Sequence, residues 1–273
     1  LLRRFTLSVG VLANYNSALN EGIHFYPGID ASYRIGDNFR LYGSWNRALR
    51  MPTFTDLYYE GKTNKGNPDL KPEESEAFEV GLKYNTYFLR ARIAGFYRKG
   101  KNMIDWVKEK PEDIWESQNL TKVDNLGFET NLSLLPRELG NERFFIRKIE
   151  LGYAFIHQDK DSEGYISNYA LDYLKHKFTA QLSHSIWKGF SATWYVRWQD
   201  RAGSYTKYEN LKPAYEEPYA PYCLVDMKVN WEYQRLNLYA ELNNLLNSTY
   251  YDLGNIPQPG IWFKAGFRYS FKY

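Results

Sequence analysis

The sequence predicts an all-β protein, a transmembrane antiparallel β-barrel of about twelve strands. Apolar and polar residues alternate over about a dozen short segments, as in 261–273 (IWFKAGFRYSFKY), where one face is aromatic and the other bears three cations. Tight turns alternate with long polar loops, which is typical of a bacterial outer-membrane barrel. Aromatic residues make up 18% of the 273 residues, with 25 Tyr among them, and such side chains suit a membrane–water interface.

Each strand is predicted from apolar side chains at every second position. In chain order the predicted strands, with residues of their apolar faces, are 3–17 (Phe5, Leu7, Val9, Val11), 24–35, 39–46 (Leu41, Trp45), 76–85 (Phe78, Val80, Leu82), 88–107 (Leu89, Ile93, Tyr97), 128–134 (Phe128, Leu132), 144–158 (Ile149, Leu151, Phe155), 178–186 (Phe178, Leu182), 193–199 (Trp194, Val196, Trp198), 225–231 (Val225, Met227, Val229), 236–242 (Leu236, Leu238, Leu242) and 261–273.

The connections divide into two kinds. Short turns are predicted at Gly36, Thr86, Lys188 and Gln234, with a longer one near Pro136, and long loops at 51–75, 108–117, 159–170, 202–218 and 250–259. The layout predicts short turns on a periplasmic rim and long loops on the outer rim, so Tyr273 would lie on the periplasmic side. Aromatic residues near the short turns predict an interfacial girdle: Tyr84, Phe88, Trp231, Tyr233 and Phe271.

Composition and charge exclude several classes of protein. The 35 Lys and Arg nearly balance the 32 Asp and Glu and are interspersed with them, so no nucleic-acid surface is predicted. No apolar run approaches the roughly 18 residues of a transmembrane helix, so a chain like this would cross a membrane only as strands. A soluble β-sandwich or a lipocalin-like barrel is the alternative fold, but a continuous charged face favours a wet lumen.

The most specific signal lies between the third and fourth predicted strands. There the sequence reads R-x-P-x-F-x-x-L-Y and then G-N-P-x-L-K-P-E, and the residues concerned are Arg50, Pro52, Phe54, Leu57, Tyr58, Gly66, Asn67, Pro68, Leu70, Lys71, Pro72 and Glu73. This pattern resembles the C-terminal half of TonB-dependent outer-membrane receptors, where it opens a barrel strand. The proline and glycine chemistry by itself predicts an ordered loop that is not a strand, and whether these residues also contact ligand is open.

Two further segments resemble the same family. Asn243 to Asn247 with Tyr250 is similar to the family's N-L-x-N-x-x-Y near the penultimate strand. The C-terminal residues resemble the signal read by the barrel-assembly machinery, carried here by Gly266, Phe267, Tyr269, Phe271 and Tyr273. Within the family the chain looks most like the vitamin cobalamin receptors.

The resemblance implies a 22-stranded barrel filled by an N-terminal plug. Residues 1–273 would then be the C-terminal part of that barrel, roughly strands eleven to twenty-two, without plug or TonB-contacting box. The partners implied are the plug and the remaining strands, the TonB-ExbB-ExbD energy-coupling complex, the barrel-assembly machinery, outer-membrane lipids and a surface lipoprotein. Bare strand edges in lipid are prohibitive, so we expect this part to need the rest of its barrel.

Active uptake of a bulky, scarce nutrient is the function that the resemblance implies, with cobalamin first and a ferric siderophore or haem as alternatives. Aromatic residues of the outer loops are the ligand candidates, because Tyr and Trp give large rigid contact areas: Tyr58, Tyr59, Trp106, Trp115, Tyr205, Tyr208, Tyr215 and Tyr219. Anchoring in the membrane interface is the other role open to each of them. No cofactor is expected.

A barrel enzyme and a passive channel are the competing function classes. The chain has four histidines (His24, His157, His176 and His184), but no Ser lies in a G-x-S-x-G context. No catalytic site is therefore predicted. His176 and His184 lie eight residues apart, about 26 Å along an extended strand, so they cannot share a metal ion. A passive channel would require an unplugged lumen.

Overall fold

The structure, a computed structural model, is all-β and describes residues 4–16, 22–110, 112–140, 143–161, 164–167, 173–209, 212–254 and 256–271. Its strands are β1 (Phe5–Tyr15), β2 (Ile23–Ile35), β3 (Phe39–Arg50), β4 (Asn64–Lys65), β5 (Glu73–Asn85), β6 (Leu89–Lys108), β7 (Trp115–Leu134), β8 (Ile146–Asp161), β9 (Ile166–Ser167), β10 (Leu174–Trp187), β11 (Phe190–Arg201), β12 (Ser204–Glu209), β13 (Lys212–Pro218), β14 (Tyr222–Tyr233), β15 (Leu236–Asn243), β16 (Tyr251–Leu253), β17 (Ile256–Pro257) and β18 (Trp262–Tyr269). The helices are α1 (Phe54–Tyr58) and a 3-10 helix (Pro136–Leu139). Neither of them is long and apolar enough to cross a membrane.

The predicted antiparallel sheet of about twelve strands is confirmed. Hydrogen-bonded neighbours follow the order β1-β2-β3-β5-β6-β7-β8-β10-β11-β14-β15-β18. These twelve strands thus have the same order in the sheet as along the chain. Such connections need only turns or loops, as in an up-and-down barrel. The short strands β4 and β9 pair with β7 and β6.

Several loop predictions were wrong in detail. The predicted loop 108–117 overlaps β7, which begins at Trp115, and 202–218 forms the hairpin of β12 and β13. The loop 51–75 contains α1 and β4, and β5 already begins at Glu73; 159–170 contains the end of β8 and β9; 250–259 contains the hairpin of β16 and β17. These elements lack the long apolar alternation on which the predictions rested. The last strand ends at Tyr269, short of the predicted 273, although Ser270 still donates its N–H to the carbonyl oxygen of Arg235 at 3.0 Å. Residues 272 and 273 lie outside the described part of the chain.

One compact unit comprises Leu1–Lys83, Ala94–Phe128 and Ile156–Tyr173. In it Val9 pairs with Ile29, and Ile29 pairs with Trp45, so these three side chains share one face of β1, β2 and β3. That face is apolar and open, since Val9 is 68% exposed and Leu7 is 56% exposed. Strands solvated by hydrocarbon have this distribution.

The other unit comprises Tyr84–Ile93, Glu129–Phe155 and Leu174–Tyr273. Its two faces differ sharply in chemistry. On one face Leu238 pairs with Phe267, which is 74% exposed. On the opposite face Glu241 binds Lys228 at 2.7 Å and Lys264 at 2.9 Å, which links β14, β15 and β18 by charge. The alternation read from the sequence therefore separates an apolar exterior from a polar interior.

Aromatic rings meet at the short-turn ends of the second unit's strands. Trp231 and Tyr233 stack with ring centroids 5.9 Å apart, Phe190 lies 6.0 Å from Trp231, and Tyr87 lies 5.2 Å from Phe88. Most of the residues that suggested a girdle thus have an aromatic neighbour at this rim. Offset or tilted ring pairs of this kind are favourable beyond their area of contact.

The turn between β10 and β11 requires glycine, and it gives a first prediction. Gly189 has a φ of +77°, and an added Cβ would lie 2.4 Å from the carbonyl oxygen of Glu232; Gly36, in the turn between β2 and β3, has a φ of +63° but open space around it. Both Gly→Ala changes cost about 1–2 kcal/mol in the left-handed conformation, and only Gly189→Ala adds a clash. We expect a larger fall in melting temperature for Gly189→Ala than for Gly36→Ala, measured by heat-modified gel mobility. Equal falls would contradict the turn contact.

Candidate functional site

Each unit has its own group of loop residues at the long-loop ends of its strands, and each group is a candidate site. We call residues 50–73, 102–119 and 165–167 the first loop cluster, and residues 199–222 and 250–258 the second loop cluster. Each cluster lies within a single unit. All of the predicted aromatic ligand candidates fall in these two clusters.

An arginine–carboxylate pair holds the base of the first loop cluster. Arg50 at the end of β3 donates from Nε to Glu73 Oε2 at 2.7 Å and from Nη2 to Oε1 at 2.5 Å. Glu73, which is only 8% exposed, also accepts the backbone N–H of Ile104 at 2.8 Å. Bidentate, charge-assisted bonds of this type are among the strongest in proteins. The pair therefore joins both ends of the loop to β6.

The helix α1 has a complete capping box. Thr53 Oγ1 accepts from the backbone of Asp56 at 3.1 Å, and Asp56 Oδ2 accepts from the backbone of Thr53 at 2.9 Å. Reciprocal capping satisfies two N–H groups that a short helix would otherwise leave open. The helix presents Phe54 (83% exposed) and Tyr58 (64% exposed) to the outside, with ring centroids 6.1 Å apart.

The G-N-P-x-L-K-P-E segment folds back against this helix. A Cβ on Gly66 would lie 2.8 Å from the backbone carbon of Leu57, so only glycine fits there. Asn67 caps a turn by accepting from the backbone of Asp69 at 2.9 Å, and Leu70 is buried. Of the remaining motif residues, Pro52, Leu57 and Pro72 are half-buried, and Pro68 and Lys71 are exposed.

Asn119 is a positioning residue that sequence reasoning missed. Its side-chain amide accepts from the backbone N–H of Lys71 at 2.8 Å and donates to the carbonyl oxygens of Lys71 at 2.9 Å and of Asn102 at 2.7 Å. Asn102 has a φ of +53°, which Asn tolerates better than most residues. No periodic pattern marks either residue, because Asn119 lies just after a segment predicted as loop.

The aromatic candidates of the first loop cluster fall into two contacts. The rings of Tyr59 and Trp106 meet edge to face at 6.3 Å, and Trp115 lies under the ammonium of Lys108 at 4.5 Å. The backbone of Trp106 is fixed by Asp105, which is 1% exposed and also accepts from Ser167 Oγ. Tyr59 is 49% exposed, so part of its ring is open for contact.

An open cavity of about 290 Å³ adjoins these residues. Among the residues that the structure describes, its lining includes the carboxylates of Glu109, Asp113 and Glu116 and one cation, Lys108. The other lining residues are Val107, Ile114, Gln118 and Tyr165. With one cation against three carboxylates, the lining is acidic at neutral pH. None of its acidic residues belongs to a recognisable sequence motif, which is why the sequence did not single them out.

Tyrosines organise the second loop cluster. Tyr205 is 7% exposed and lies with its ring 5.1 Å from Tyr219 and 5.2 Å from Tyr251. Tyr219 is 8% exposed, and its hydroxyl accepts from the backbone of Gly254 at 2.9 Å. Two of the predicted ligand candidates therefore join the hairpin of β12 and β13 to the hairpin of β16 and β17.

The other two tyrosines of this hairpin, Tyr208 and Tyr215, are 54% and 50% exposed. Beside them Lys207 donates to Glu217 at 2.5 Å, and Tyr205 donates to the same carboxylate at 3.2 Å. The hydrogen bond from Lys207 lowers the pKa of Glu217, and the same bond raises the pKa of Lys207. This pair holds the hairpin in a loop that is otherwise open to water.

The residues of the terminal assembly signal lie on β18 and just after it. Phe267 and Phe271 are 74% and 75% exposed, and Tyr269 meets Phe271 at 4.9 Å. Gly266 leaves room for Tyr239, whose hydroxyl would lie 2.5 Å from an added Cβ. Tyr273 lies outside the described residues.

The described parts of the chain contain no group of three or more His, Cys, Asp or Glu side chains placed to hold a metal ion. The two histidines of β10 have aromatic partners instead. His176 Nδ1 hydrogen-bonds the hydroxyl of Tyr153 at 2.8 Å, and His184 Nε2 accepts from the indole of Trp194 at 3.1 Å.

Comparison with known proteins identifies a family. Residues 4–245 match the family model described as TonB dependent receptor-like, beta-barrel. The chain is 27% identical over 178 residues to the vitamin B12 transporter BtuB of Vibrio vulnificus, covering 52% of this chain and 28% of that protein. It is 22% identical over 267 residues to the ferrienterobactin receptor of Escherichia coli K12, covering 88% of this chain and 34% of that protein. The chain thus spans about a third or less of the length of these curated relatives.

Solved structures agree on the fold. The ferric enterobactin receptor PfeA of Pseudomonas aeruginosa, in complex with enterobactin, superposes with a TM-score of 0.76 at 18% identity, covering 98% of this chain and 43% of that one. The copper transporter OprC gives a TM-score of 0.72 at 16% identity, covering 99% of this chain and 46% of that one.

The arginine pair gives a second prediction, with an internal control. Arg50→Ala leaves the buried Glu73 with only a backbone donor, whereas Arg47→Ala removes a single contact to Glu74 at 3.4 Å on the surface. Hydrogen bonds to charged groups contribute about 1.5–3 kcal/mol to stability. Because Arg50 is half-exposed, we expect Arg50→Ala to lower the stability of the folded loop by about 1.5 kcal/mol. Limited proteolysis within 51–72 should become about tenfold faster for Arg50→Ala and change little for Arg47→Ala. Equal rates would rule out this role for the pair.

The hairpin pair gives a third prediction, on pH. The pKa of Glu217 is below its ordinary value of 4.5, so its contribution to the hairpin is complete above that pH and is lost as the pH falls further. Hydrogen exchange of residues 204–209, corrected for intrinsic pH dependence, should rise in acid in the wild type. Glu217→Gln should show fast exchange already at neutral pH. Glu216→Gln, which loses only hydroxyl partners, should keep the rise in exchange at acid pH. If Glu216→Gln also lost this rise, the pH dependence could not be assigned to Glu217.

Proposed function

We propose a nutrient-uptake function from one premise: the chain belongs to the TonB-dependent receptor family, and its protein therefore resides in the bacterial outer membrane. In this proposal residues 1–273 act as the C-terminal part of a receptor barrel, together with further strands and a plug. The coverage of 98% of this chain but 43% of a solved receptor chain supports that assignment. Energy for opening the plug would come through the TonB-ExbB-ExbD complex, and a surface lipoprotein could cap the long loops.

The acidic cavity of the first loop cluster is the observation that carries our choice of substrate. Its volume of about 290 Å³ is near the lower end of small-molecule sites, so it would hold one part of a bulky ligand. Three carboxylates against one lysine repel an anion such as a ferric catecholate complex. Cyanocobalamin is neutral, and aquocobalamin is a cation, so neither is opposed by this charge.

The exposed tyrosines supply the contact area that such a ligand needs. Tyr58 and Tyr59 flank the same loop cluster, and Tyr208 and Tyr215 present half-open rings in the second. Each ring offers a rigid apolar face and a hydroxyl group. The buried Tyr205 and Tyr219, by contrast, would act by positioning the hairpin. We therefore propose cobalamin as the substrate, with capture by aromatic contact and selection by charge.

A ferric siderophore is the second candidate, and haem belongs with it as an alternative nutrient. The match to the ferrienterobactin receptor extends over 88% of this chain, more than the 52% covered by the BtuB match. The named relatives are transporters and receptors, and we propose no enzymatic activity for this chain.

The deciding experiment is a fourth prediction. Tryptophan fluorescence of the receptor, purified from its native outer membrane, should report saturable binding of cyanocobalamin near nanomolar concentration, about −12 kcal/mol. Absence of binding at micromolar ligand would reject cobalamin and leave the receptor family intact, and titration with a ferric catecholate and with haem would follow.

Neutralising the cavity tests the charge argument separately. The variant Glu109→Gln/Asp113→Asn/Glu116→Gln should weaken aquocobalamin binding about tenfold and leave cyanocobalamin nearly unchanged, with the difference shrinking at high salt. Glu216→Gln, an exposed carboxylate of the second loop cluster, is the matched control and should alter neither. Equal effects on the neutral and the cationic ligand would rule out selection by charge.

A further inference from the structure

The apolar exterior of the first unit ends in a band of charged side chains at the long-loop ends of its strands. Trp45 shares its face with Ile29 and Val9 and lies 6.4 Å from Phe78. This face contacts lipid, since the protein lies in the outer membrane and the side chains on it are apolar and exposed. Two residues further along β3, on the same face, stands Arg47. The charged band is therefore continuous with the lipid-facing surface.

A cleft in this band brings together cations from two strands. It is lined by Arg47, Glu74, Ser75, Glu76, Lys99 and Lys101. Three of the six already have defined partners: Glu74 binds Arg47 at 3.4 Å within the cleft, and Glu76 accepts from the indole of Trp45, beside the cleft, at 2.7 Å. These contacts hold the carboxylates against β3 and leave the β6 side of the cleft to the two lysines.

Lys99 and Lys101 occupy alternate positions of β6, so they project from one face about 7 Å apart along the strand. Within the described ranges, neither ammonium group lies within ion-pair distance of a carboxylate. The cleft contains three cations and two carboxylates, a net positive charge at a surface that faces lipid. Lysine at such a level keeps its ammonium at the polar boundary while its alkyl stem covers apolar surface.

We propose that this cleft binds the phosphate group of an outer-leaflet lipid headgroup. The long-loop ends of the strands face the cell exterior, so the lipid beside them belongs to the outer leaflet. Phe78 and Val80 are 44% and 62% exposed and follow Glu74 and Glu76 at alternate positions of β5, so they offer an apolar surface to an acyl chain on the same face as the cleft. Lysine is a compact point charge that binds phosphate, and a neighbouring low-dielectric region strengthens the attraction. This inference depends on the membrane location and not on the transported ligand.

The test compares lipid retention by two matched double variants of the receptor. Lys99→Gln/Lys101→Gln removes the proposed contacts, and Lys175→Gln/Lys177→Gln removes two lysines with the same spacing on β10. Each protein is reconstituted in nanodiscs containing a trace of lipid A, either with both phosphates or dephosphorylated. Lipid that remains bound after transfer to detergent is counted by native mass spectrometry.

The wild type should retain the phosphorylated lipid about tenfold better than the dephosphorylated one, and Lys99→Gln/Lys101→Gln should abolish that preference. Lys175→Gln/Lys177→Gln should retain it. Millimolar inorganic phosphate should not displace the lipid, because the acyl chains contribute to binding; displacement would assign the cleft to free phosphate instead. Equal retention by both double variants, or retention independent of the phosphates, would overturn the proposal. Gel mobility of the folded form checks that each variant has assembled.

Discussion

The structure depends on one constraint: hydrocarbon offers no hydrogen-bond partner to the peptide backbone, so each strand in the membrane must pair with another. Register then decides which side chains meet lipid, because a slip of one residue would move every side chain to the other face. The pairing of Leu238 with Phe267, and of Glu241 with Lys264 on the opposite face, shows this choice in β15 and β18. Large exposed apolar side chains such as Val9 therefore face the lipid hydrocarbon and not water.

Several of the most buried polar side chains lie in the loops or where a loop joins a strand. The polar side chains with the least exposure include Glu73, Asp105 and Asn244, and each accepts or donates hydrogen bonds within a loop or at its junction with a strand. A loop with little apolar material cannot gain its order from hydrophobic contact, so it gains it from satisfied polar groups. The outer loops are thus held by local polar networks and, in the second loop cluster, also by the ring contacts of Tyr205 with Tyr219 and Tyr251.

Sequence reasoning succeeded where one physical signal repeats. A period of two over many residues identified the twelve long strands of the sheet but not the two-residue strands β4 and β9, and the turns at Gly36, Thr86, Lys188 and Gln234 followed from it. It failed where order comes from single contacts: α1 depends on the pairing of Thr53 with Asp56, and the start of β7 at Trp115 follows no alternation. The sequence could not identify the role of Asn119 or the acidic cavity either, because both depend on residues that only the folded chain brings together.

In our proposal the family motif and most of the ligand candidates have separate roles, and Tyr58 belongs to both. Arg50, Gly66, Asn67, Leu70 and Glu73 act within the loop: they pair with each other, cap a turn, pack closely or become buried. These residues form the scaffold of the loop. The cavity carboxylates and the exposed tyrosines lie outside most of that scaffold, so substitutions there can change charge and shape while the loop keeps its fold. Selectivity in such a receptor should be sought at Glu109, Asp113 and Glu116 before it is sought in the motif.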